Sequence, residues 1–180
     1  MNKVTTITGL RQEGKTNELV ACYIDTLDTL LVEPRTPHRV YFIKCALYDT
    51  DDDKNKIQQQ FISEFQIDTD SIPVNKTIFT INSVDLFWSY LTSFIKRSDC
   101  DVYIDDLPLL MEQPDFNGNS VNTQQELERF IDKYPNKDCG NSMDITYTRP
   151  RVIIDEDTHN DNNNSYPCMI INQESSIAGR

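Results

Sequence analysis

The sequence predicts an α/β protein of three layers, in which a mostly parallel sheet carries helices on both of its faces. Short β-branched or aromatic segments alternate along the chain with longer segments that have apolar residues at helical spacing. The first of the short segments runs into a loop that is followed directly by a helical segment. No internal repeat or linker divides the chain, so we expect a single domain over residues 1–180.

Composition limits the classes of protein to consider. The chain has 38% hydrophobic and 26% charged residues, which is typical of a globular protein. Its formal net charge of -12 disfavours binding to nucleic acid, since that binding needs cationic side chains to displace counterions from phosphates. The five cysteines have no paired short spacing, which favours reduced thiols. Because no segment has the character of a signal core or a membrane span, we expect a cytoplasmic protein without membrane contact.

The first two thirds of the chain alternate strands with amphipathic helices. Four segments rich in β-branched and aromatic residues are predicted as strands: residues 4–8, 39–43, 77–81 and 101–105. Three segments with apolar residues three or four positions apart are predicted as helices: residues 16–33, 57–65 and 84–94. Pro34 ends the first helix, and Ser83 is the expected N-cap of the third.

The last third is more polar, and its elements are shorter. A helix is predicted at residues 123–134, followed by a polar stretch at residues 135–142. Strands are predicted at residues 151–154 and 168–171, and a low-complexity tract at residues 161–165 separates them. These two strands are the last of the predicted elements.

The loop between the first strand and the first helix matches the pattern G-x-x-x-x-G-K-[ST] in full. Its residues are Gly9, Leu10, Arg11, Gln12, Glu13, Gly14, Lys15 and Thr16. The glycines let the backbone curl so that amide N–H groups point at phosphates, and the following helix adds its positive end. Lys15 is expected along the β- and γ-phosphates, and Thr16 on Mg²⁺. The motif therefore predicts binding of ATP together with Mg²⁺.

On these residues the sequence resembles the P-loop NTPase superfamily, in which this loop is called the Walker A motif. The resemblance implies a second motif, an apolar strand that ends in an aspartate on the magnesium side. The segment Val-Tyr-Ile-Asp-Asp at residues 102–106 fits it, with Asp105 near the metal and Asp106 polarising the attacking water. The alternative pair is Asp155 and Glu156, which offers the more usual glutamate but leaves only one strand after it.

The spacing between the loop and Asp105 resembles the RecA-like, additional-strand branch of the superfamily. This resemblance implies an ATPase that works as a homo-oligomer and moves or remodels a nucleic acid or a protein. Lys15 and Asp106 would be its catalytic residues, and Thr16 and Asp105 would lie at the magnesium ion. The strand at residues 151–154 would take the place of the sensor strand. Asp106 stands where many of these ATPases have a glutamate, which is one methylene longer.

Two other functions fit the same loop. A nucleoside or nucleotide kinase would need a lid, for which residues 135–151 are the candidate segment. An accessory protein would bind the nucleotide with little hydrolysis and present a surface to a partner. Arg149, Arg151 and Arg180 are candidate arginine fingers in a neighbouring subunit, and His159 is a candidate phosphate sensor. A Ras-like GTPase is disfavoured, because the guanine-reading pattern Asn-Lys-x-Asp is absent from the sequence.

Overall fold

A computed structural model describes residues 2–9, 14–32, 38–134, 140–150, 152–154, 169–171 and 176–178. Within these ranges the helices are α1 (Lys15–Val32), α2 (Asp51–Glu64), α3 (Val74–Thr77), α4 (Val84–Arg97), α5 (Leu107–Met111) and α6 (Thr123–Tyr134). The strands are β1 (Lys3–Gly9), β2 (His38–Cys45), β3 (Ile78–Ile81), β4 (Asp99–Asp105), β5 (Met143–Pro150), β6 (Val152–Ile154), β7 (Met169–Ile171) and β8 (Ser176–Ala178).

The main sheet has six strands in the order β3-β2-β4-β5-β1-β8, and each of its pairings is parallel. Parallel neighbours require crossover connections, and helices supply them between most of these strands. The predicted fold class, an α/β protein built on a parallel sheet, is confirmed. The carboxyl ends of β1, β2, β4 and β5 consequently meet at one edge of the sheet.

Two hydrophobic cores lie on opposite faces of this sheet. Alternate side chains of β2 enter different cores, with Tyr41 and Ile43 on one face and Val40 and Phe42 on the other. The first face packs against α4, α5 and α6, and the second against α1 and α2. Apolar burial on both faces explains the unbroken apolar run from Val40 to Ile43 in β2. The helices therefore cover both faces of the sheet, as the sequence predicts.

The strand β5 is the main departure from the predicted elements. It lies between β4 and β1 and pairs with both, in the interior of the sheet. Its apolar side chains alternate with polar ones, and Met143, Ile145 and Tyr147 are fully buried. Because Met143–Pro150 is a central strand, the prediction of a lid over residues 135–151 is wrong for this segment. Residues 135–139 and 151 lie outside the described ranges.

The two strands predicted near the carboxyl end are present, but they do not join the main sheet. β6 and β7 pair antiparallel with each other in a separate two-stranded sheet. The expectation that the segment at residues 151–154 serves as the sensor strand is therefore wrong, since β5 holds the position beside β4. The strand next to β1 on its other side is β8.

Local capping accounts for two helix starts. The Thr50 hydroxyl accepts a hydrogen bond from the Asp53 N–H, and the Ser83 hydroxyl accepts one from the Leu86 N–H. Each satisfies an amide that has no partner within its own helix. The prediction of Ser83 as the N-cap of the helix that follows is confirmed. In α4, Phe87 and Leu91 lie in the core.

Three of the five cysteines lie in the described ranges. Cys45 and Cys100 are buried, Cys22 is half-buried, and burial raises the pKa of the Cys45 thiol. Cys139 and Cys168 lie outside the described ranges. In the part of the chain that the structure describes, no helix combines the length and the apolar character needed to cross a bilayer.

Candidate functional site

The carboxyl end of β1 and the start of α1 hold the ends of the predicted phosphate loop. Gly9 is the last residue of β1, and Lys15 and Thr16 open α1. Gly14 has a φ of 81°, in the left-handed region that favours glycine, and its carbonyl accepts the Glu18 N–H at 2.9 Å. Residues 10–13 of the loop lie outside the described ranges. The described part of the motif thus places a lysine and a hydroxyl at a helix N-terminus.

Thr16 and Asp105, which are far apart in sequence, lie in direct contact. The Thr16 hydroxyl is 3.1 Å from Asp105 Oδ1 and 3.2 Å from Oδ2. Asp105 is the last residue of β4 and is fully buried, so its carboxylate depends on its hydrogen-bond partners. The Thr148 hydroxyl on β5 supplies another of these bonds, to Asp105 Oδ1 at 2.8 Å. Three elements therefore converge on one carboxylate.

Lys44 adds a positive charge to this cluster. Its Nζ is 2.9 Å from Asp105 Oδ2 and 2.7 Å from Asp106 Oδ2. Burial alone would lower the pKa of the Lys44 ammonium, but the charges of Asp105 and Asp106 outweigh burial and raise that pKa. Lys44 is therefore a cation fixed between both members of the predicted acid pair.

Asp106 lies just beyond the end of β4, where the chain turns sharply. Its φ of 65° is left-handed, which is uncommon for a residue with a side chain. Its N–H donates to the Thr148 hydroxyl at 2.9 Å, and the residue is the N-cap of α5 without making a side-chain cap bond. This turn brings the Asp106 carboxylate to the same side of the sheet edge as Lys44.

A cavity of about 440 Å³ opens in front of these residues. Gly14, Lys15, Thr16, Lys44 and Asp105 line one side of it. The other side is formed by α2, through Ile57, Gln60, Phe61, Glu64 and Phe65. One wall is thus charged and polar, and the other is largely apolar with an amide and a carboxylate. The cavity therefore places charged and polar groups beside apolar ones.

The donor set at the start of α1 fits a magnesium ion. In the described ranges there is no group of three or more His, Cys, Asp or Glu side chains that could hold a metal. Magnesium bound with a nucleotide does not need such a group, since it keeps water ligands and shares one or two protein oxygens with the phosphates. The Thr16 hydroxyl beside the Asp105 carboxylate provides oxygen ligands of this type.

Arg149 is engaged within its own chain. Its Nη1 donates to Glu112 Oε1 at 3.1 Å, and its Nη2 donates to Glu112 Oε2. Glu112 also accepts the Thr123 N–H and hydroxyl, at 3.1 and 2.6 Å. Because the Arg149 side chain is only 11% exposed and doubly bonded, its prediction as an arginine finger for a neighbouring subunit is wrong. Arg151 and Arg180 lie outside the described ranges.

The other predicted site residues divide into two groups. The structure brings Lys15, Thr16 and Asp105 to one cavity. Asp106 does not line this cavity, and its carboxylate is bound by Lys44, which does. The alternative pair, Asp155 and Glu156, lies outside the described ranges, as does His159. The strand that precedes the alternative pair, β6, belongs to the second sheet.

Sequence reasoning did not identify Lys44 or Thr148. Lys44 had a detectable signal, since it is the only charged residue between Val40 and Cys45 in a strand buried on both faces. Thr148 had none, because its role depends on β5 lying beside β4.

No protein-family model, curated protein or solved structure gives a significant match to this chain.

Proposed function

We propose that the chain is an ATPase that binds the triphosphate of ATP, with Mg²⁺, at the start of α1. It would belong to the RecA-like, additional-strand branch of the P-loop NTPases. Assembly into a homo-oligomer that acts on a nucleic acid or a protein is part of this proposal through the resemblance of the sequence. The net charge of -12 favours a protein partner over a nucleic acid.

The contact between Thr16 and Asp105 carries the proposal. The sequence motif alone predicts a lysine and a hydroxyl at a helix start, which also occurs at helices without ligands. A buried carboxylate 3.1 Å from that hydroxyl, contributed by a strand 89 residues away, is the second element that a magnesium nucleotide requires. Asp105 also lines the same cavity as Lys15.

The strand order supports the choice of branch. The additional-strand branch takes its name from a strand between the one that precedes the phosphate loop and the one that ends in the acid. Here β5 lies between β1 and β4 in the same way. β5 also contributes Thr148, whose hydroxyl bonds both the Asp105 carboxylate and the Asp106 N–H.

Each residue has a role that follows from its position. Lys15 would bind the β- and γ-phosphates as a point charge, and amide groups at the start of α1 would orient them. Thr16 and Asp105 would hold the magnesium ion, which when bound neutralises charge that develops on the phosphates. Asp106 would accept a proton from the attacking water. The apolar wall of α2 would cover the nucleotide and exclude bulk water.

Binding and turnover in a Lys15→Ala variant test the proposal. Removing the ammonium should weaken Mg-ATP binding at least about tenfold, or about 1.4 kcal/mol, and reduce ATP turnover to background. Titration calorimetry measures the affinity, and phosphate release measures the turnover. Lys96→Ala is the matched control. Lys96 is an exposed lysine near the end of α4, and α4 covers the face of the sheet opposite α1.

Two outcomes count against the proposal. One is a wild-type protein that binds neither ATP nor another nucleoside triphosphate. The other is a Lys15→Ala variant that binds Mg-ATP as tightly as Lys96→Ala does. Binding that depends on Lys15 without measurable turnover supports the nucleotide site and removes the ATPase.

One observation favours a second candidate, a nucleotide-binding accessory protein with little hydrolysis. The Asp106 carboxylate forms an ion pair with the Lys44 ammonium at 2.7 Å, so it is already engaged where the ATPase would need it to orient a water. Tight Lys15-dependent binding with no phosphate release distinguishes this candidate. The kinase candidate is weaker, because most of its predicted lid segment forms the strand β5. Phosphoryl transfer to a panel of nucleosides and nucleoside monophosphates would test it.

A further inference from the structure

Lys44 lies beside the predicted acid pair because of strand register. In the pairing of β2 with β4, Lys44 is the direct partner of Asp105, so neighbouring strands present the two side chains next to each other. The arrangement is therefore built into the sheet rather than into one flexible side chain. Lys44 also lines the cavity together with Lys15 and Thr16.

The Lys44 ammonium neutralises part of the negative charge of Asp105 and Asp106. The Asp105 side chain is 0% exposed and that of Asp106 33% exposed, so both carboxylates benefit from a nearby cation. Lys44 provides one positive charge against these two negative charges. Its side chain is 21% exposed, and it faces the cavity where phosphates would enter.

We propose that Lys44 acts as an internal cation of the phosphate site. Its ammonium binds Asp105 and Asp106 and supplies part of the positive charge that a divalent ion would supply there. Nucleotide binding therefore depends less on Mg²⁺. This inference rests on the proposed function. A triphosphate that enters without a metal meets Lys15 on one side and two carboxylates on the other. Lys44 offsets the repulsion from those carboxylates. Lys44 and the metal also compete for Asp105, because the same carboxylate serves both.

The experiment compares ATP affinity in EDTA and in Mg²⁺ for wild type, Lys44→Met and Lys44→Arg. Removing the charge should weaken binding in EDTA at least about tenfold, while affinity in Mg²⁺ changes by less than about threefold. Lys44→Arg keeps the charge and should stay close to wild type in EDTA. Lys96→Met is the matched control for loss of one lysine on another face. If Lys44→Met does not fold, Lys44→Gln repeats the comparison with a side chain that still donates hydrogen bonds.

A charge-restoring variant separates electrostatics from packing. Lys44→Met combined with Asp106→Asn removes one positive and one negative charge, which returns the cluster to its wild-type net charge. ATP affinity in EDTA should recover by several-fold relative to Lys44→Met alone. The proposal is overturned if Lys44→Met loses the same factor in EDTA and in Mg²⁺, or if its affinity is unchanged in both.

A metal-only measurement distinguishes failure of this inference from failure of the proposed function. Thermal unfolding is followed with and without Mg²⁺, in the absence of nucleotide. Because Lys44→Met leaves the two carboxylates without their cation, Mg²⁺ should raise its midpoint by about 3 °C or more beyond any shift in wild type. Equal shifts in the two proteins sink the inference even if ATP binds. A wild type that binds no nucleotide sinks the proposed function, and the metal arm still decides the role of Lys44.

Discussion

At the residue scale, Asp106 combines an unfavourable backbone conformation with an ion pair to Lys44, a residue that lines the cavity. Its left-handed conformation, with a φ of 65°, costs about 1–2 kcal/mol for most residues with a side chain, and somewhat less for Asp and Asn. The Thr148 hydroxyl, which accepts its N–H, and the Lys44 ammonium, which binds its carboxylate, hold it there. Strain that is maintained by neighbouring contacts is typical of functional positions.

The substitution Asp106→Asn tests its predicted role in polarising water. Asparagine tolerates the left-handed conformation and keeps the shape of the side chain, but it is a poor proton acceptor. We expect ATP turnover to fall at least about tenfold, while Mg-ATP affinity is not weakened. Turnover is measured by phosphate release at saturating ATP, and affinity by calorimetry.

The control for this substitution is Asp132→Asn, since Asp132 is exposed on α6 and the change in charge is the same. Unchanged turnover in Asp106→Asn would show that another group activates the water. Glu64, which lines the opposite wall of the cavity on α2, is then the next acid to examine.

Individual site residues differ in how far the sequence could predict them. Lys15 and Thr16 were predicted because their motif is continuous in sequence, and Asp105 because an acid follows an apolar strand. Lys44 could have been noticed as a charge within a buried strand. Thr148 could not, because threonine is common in strands and its contact with Asp105 arises only from the pairing of β5 with β4.

At the element scale, Glu112 joins three elements that surround the acid pair. It follows α5, accepts two hydrogen bonds from Thr123 at the start of α6, and pairs with Arg149 at the end of β5. Burial alone would raise the pKa of Glu112, but the hydrogen bonds from Arg149 and Thr123 outweigh it and lower that pKa. The ionised form is therefore favoured in the folded state.

The variant Glu112→Gln should lose this stabilisation in a pH-dependent way. A carboxyl whose pKa is lowered on folding stabilises the protein above its ordinary pKa of 4.5, and that stabilisation disappears as the pH falls through the folded value. We expect the variant to be less stable than wild type by about 1–3 kcal/mol at neutral pH, with the difference shrinking below pH 4.5. Urea unfolding over a pH series measures it.

Glu126→Gln is the matched control, because Glu126 forms an ion pair with Arg129 three residues on in α6, and the Arg129 side chain is 71% exposed. Surface pairs of this kind contribute about 0–1 kcal/mol, so its stability should stay near wild type throughout. A Glu112→Gln difference that is constant with pH would show that shape, and not charge, matters at this position.

The elements themselves were predicted where periodicity was long and regular. The helix at Thr123–Tyr134 has the predicted bounds, because Leu127, Phe130 and Ile131 recur at helical spacing. The strand β5 was missed because Asp144, Thr146 and Thr148 alternate with its apolar residues, so the segment resembles a polar loop. Its position between β4 and β1 accounts for one of these polar residues, because it brings the Thr148 hydroxyl to the Asp105 carboxylate.

At the scale of the whole molecule, the site lies where the carboxyl ends of β1, β2, β4 and β5 meet. Parallel α/β sheets place ligands at this edge, since helix starts and loop residues converge there. The sequence predicted the layers, but not the strand order, which depends on pairings between distant segments. The short strands β6, β7 and β8 have three residues each and carry too little pattern to assign their partners.

A ligand that binds at this shared edge should stabilise both faces of the sheet together. At about 100 times its dissociation constant, Mg-ATP should add about 2.7 kcal/mol to the free energy of unfolding, which raises the midpoint by about 5–10 °C. The only tryptophan, Trp88, packs against Phe130 on the face opposite α1, so its fluorescence reports the far core, while circular dichroism reports all helices. Both midpoints should rise equally in wild type, and at the same ATP concentration by at most about half as much in Lys15→Ala, whose affinity is at least about tenfold weaker. A fluorescence midpoint that does not move while circular dichroism shifts would show that the two cores unfold separately, and that the nucleotide stabilises only the face that carries α1 and α2.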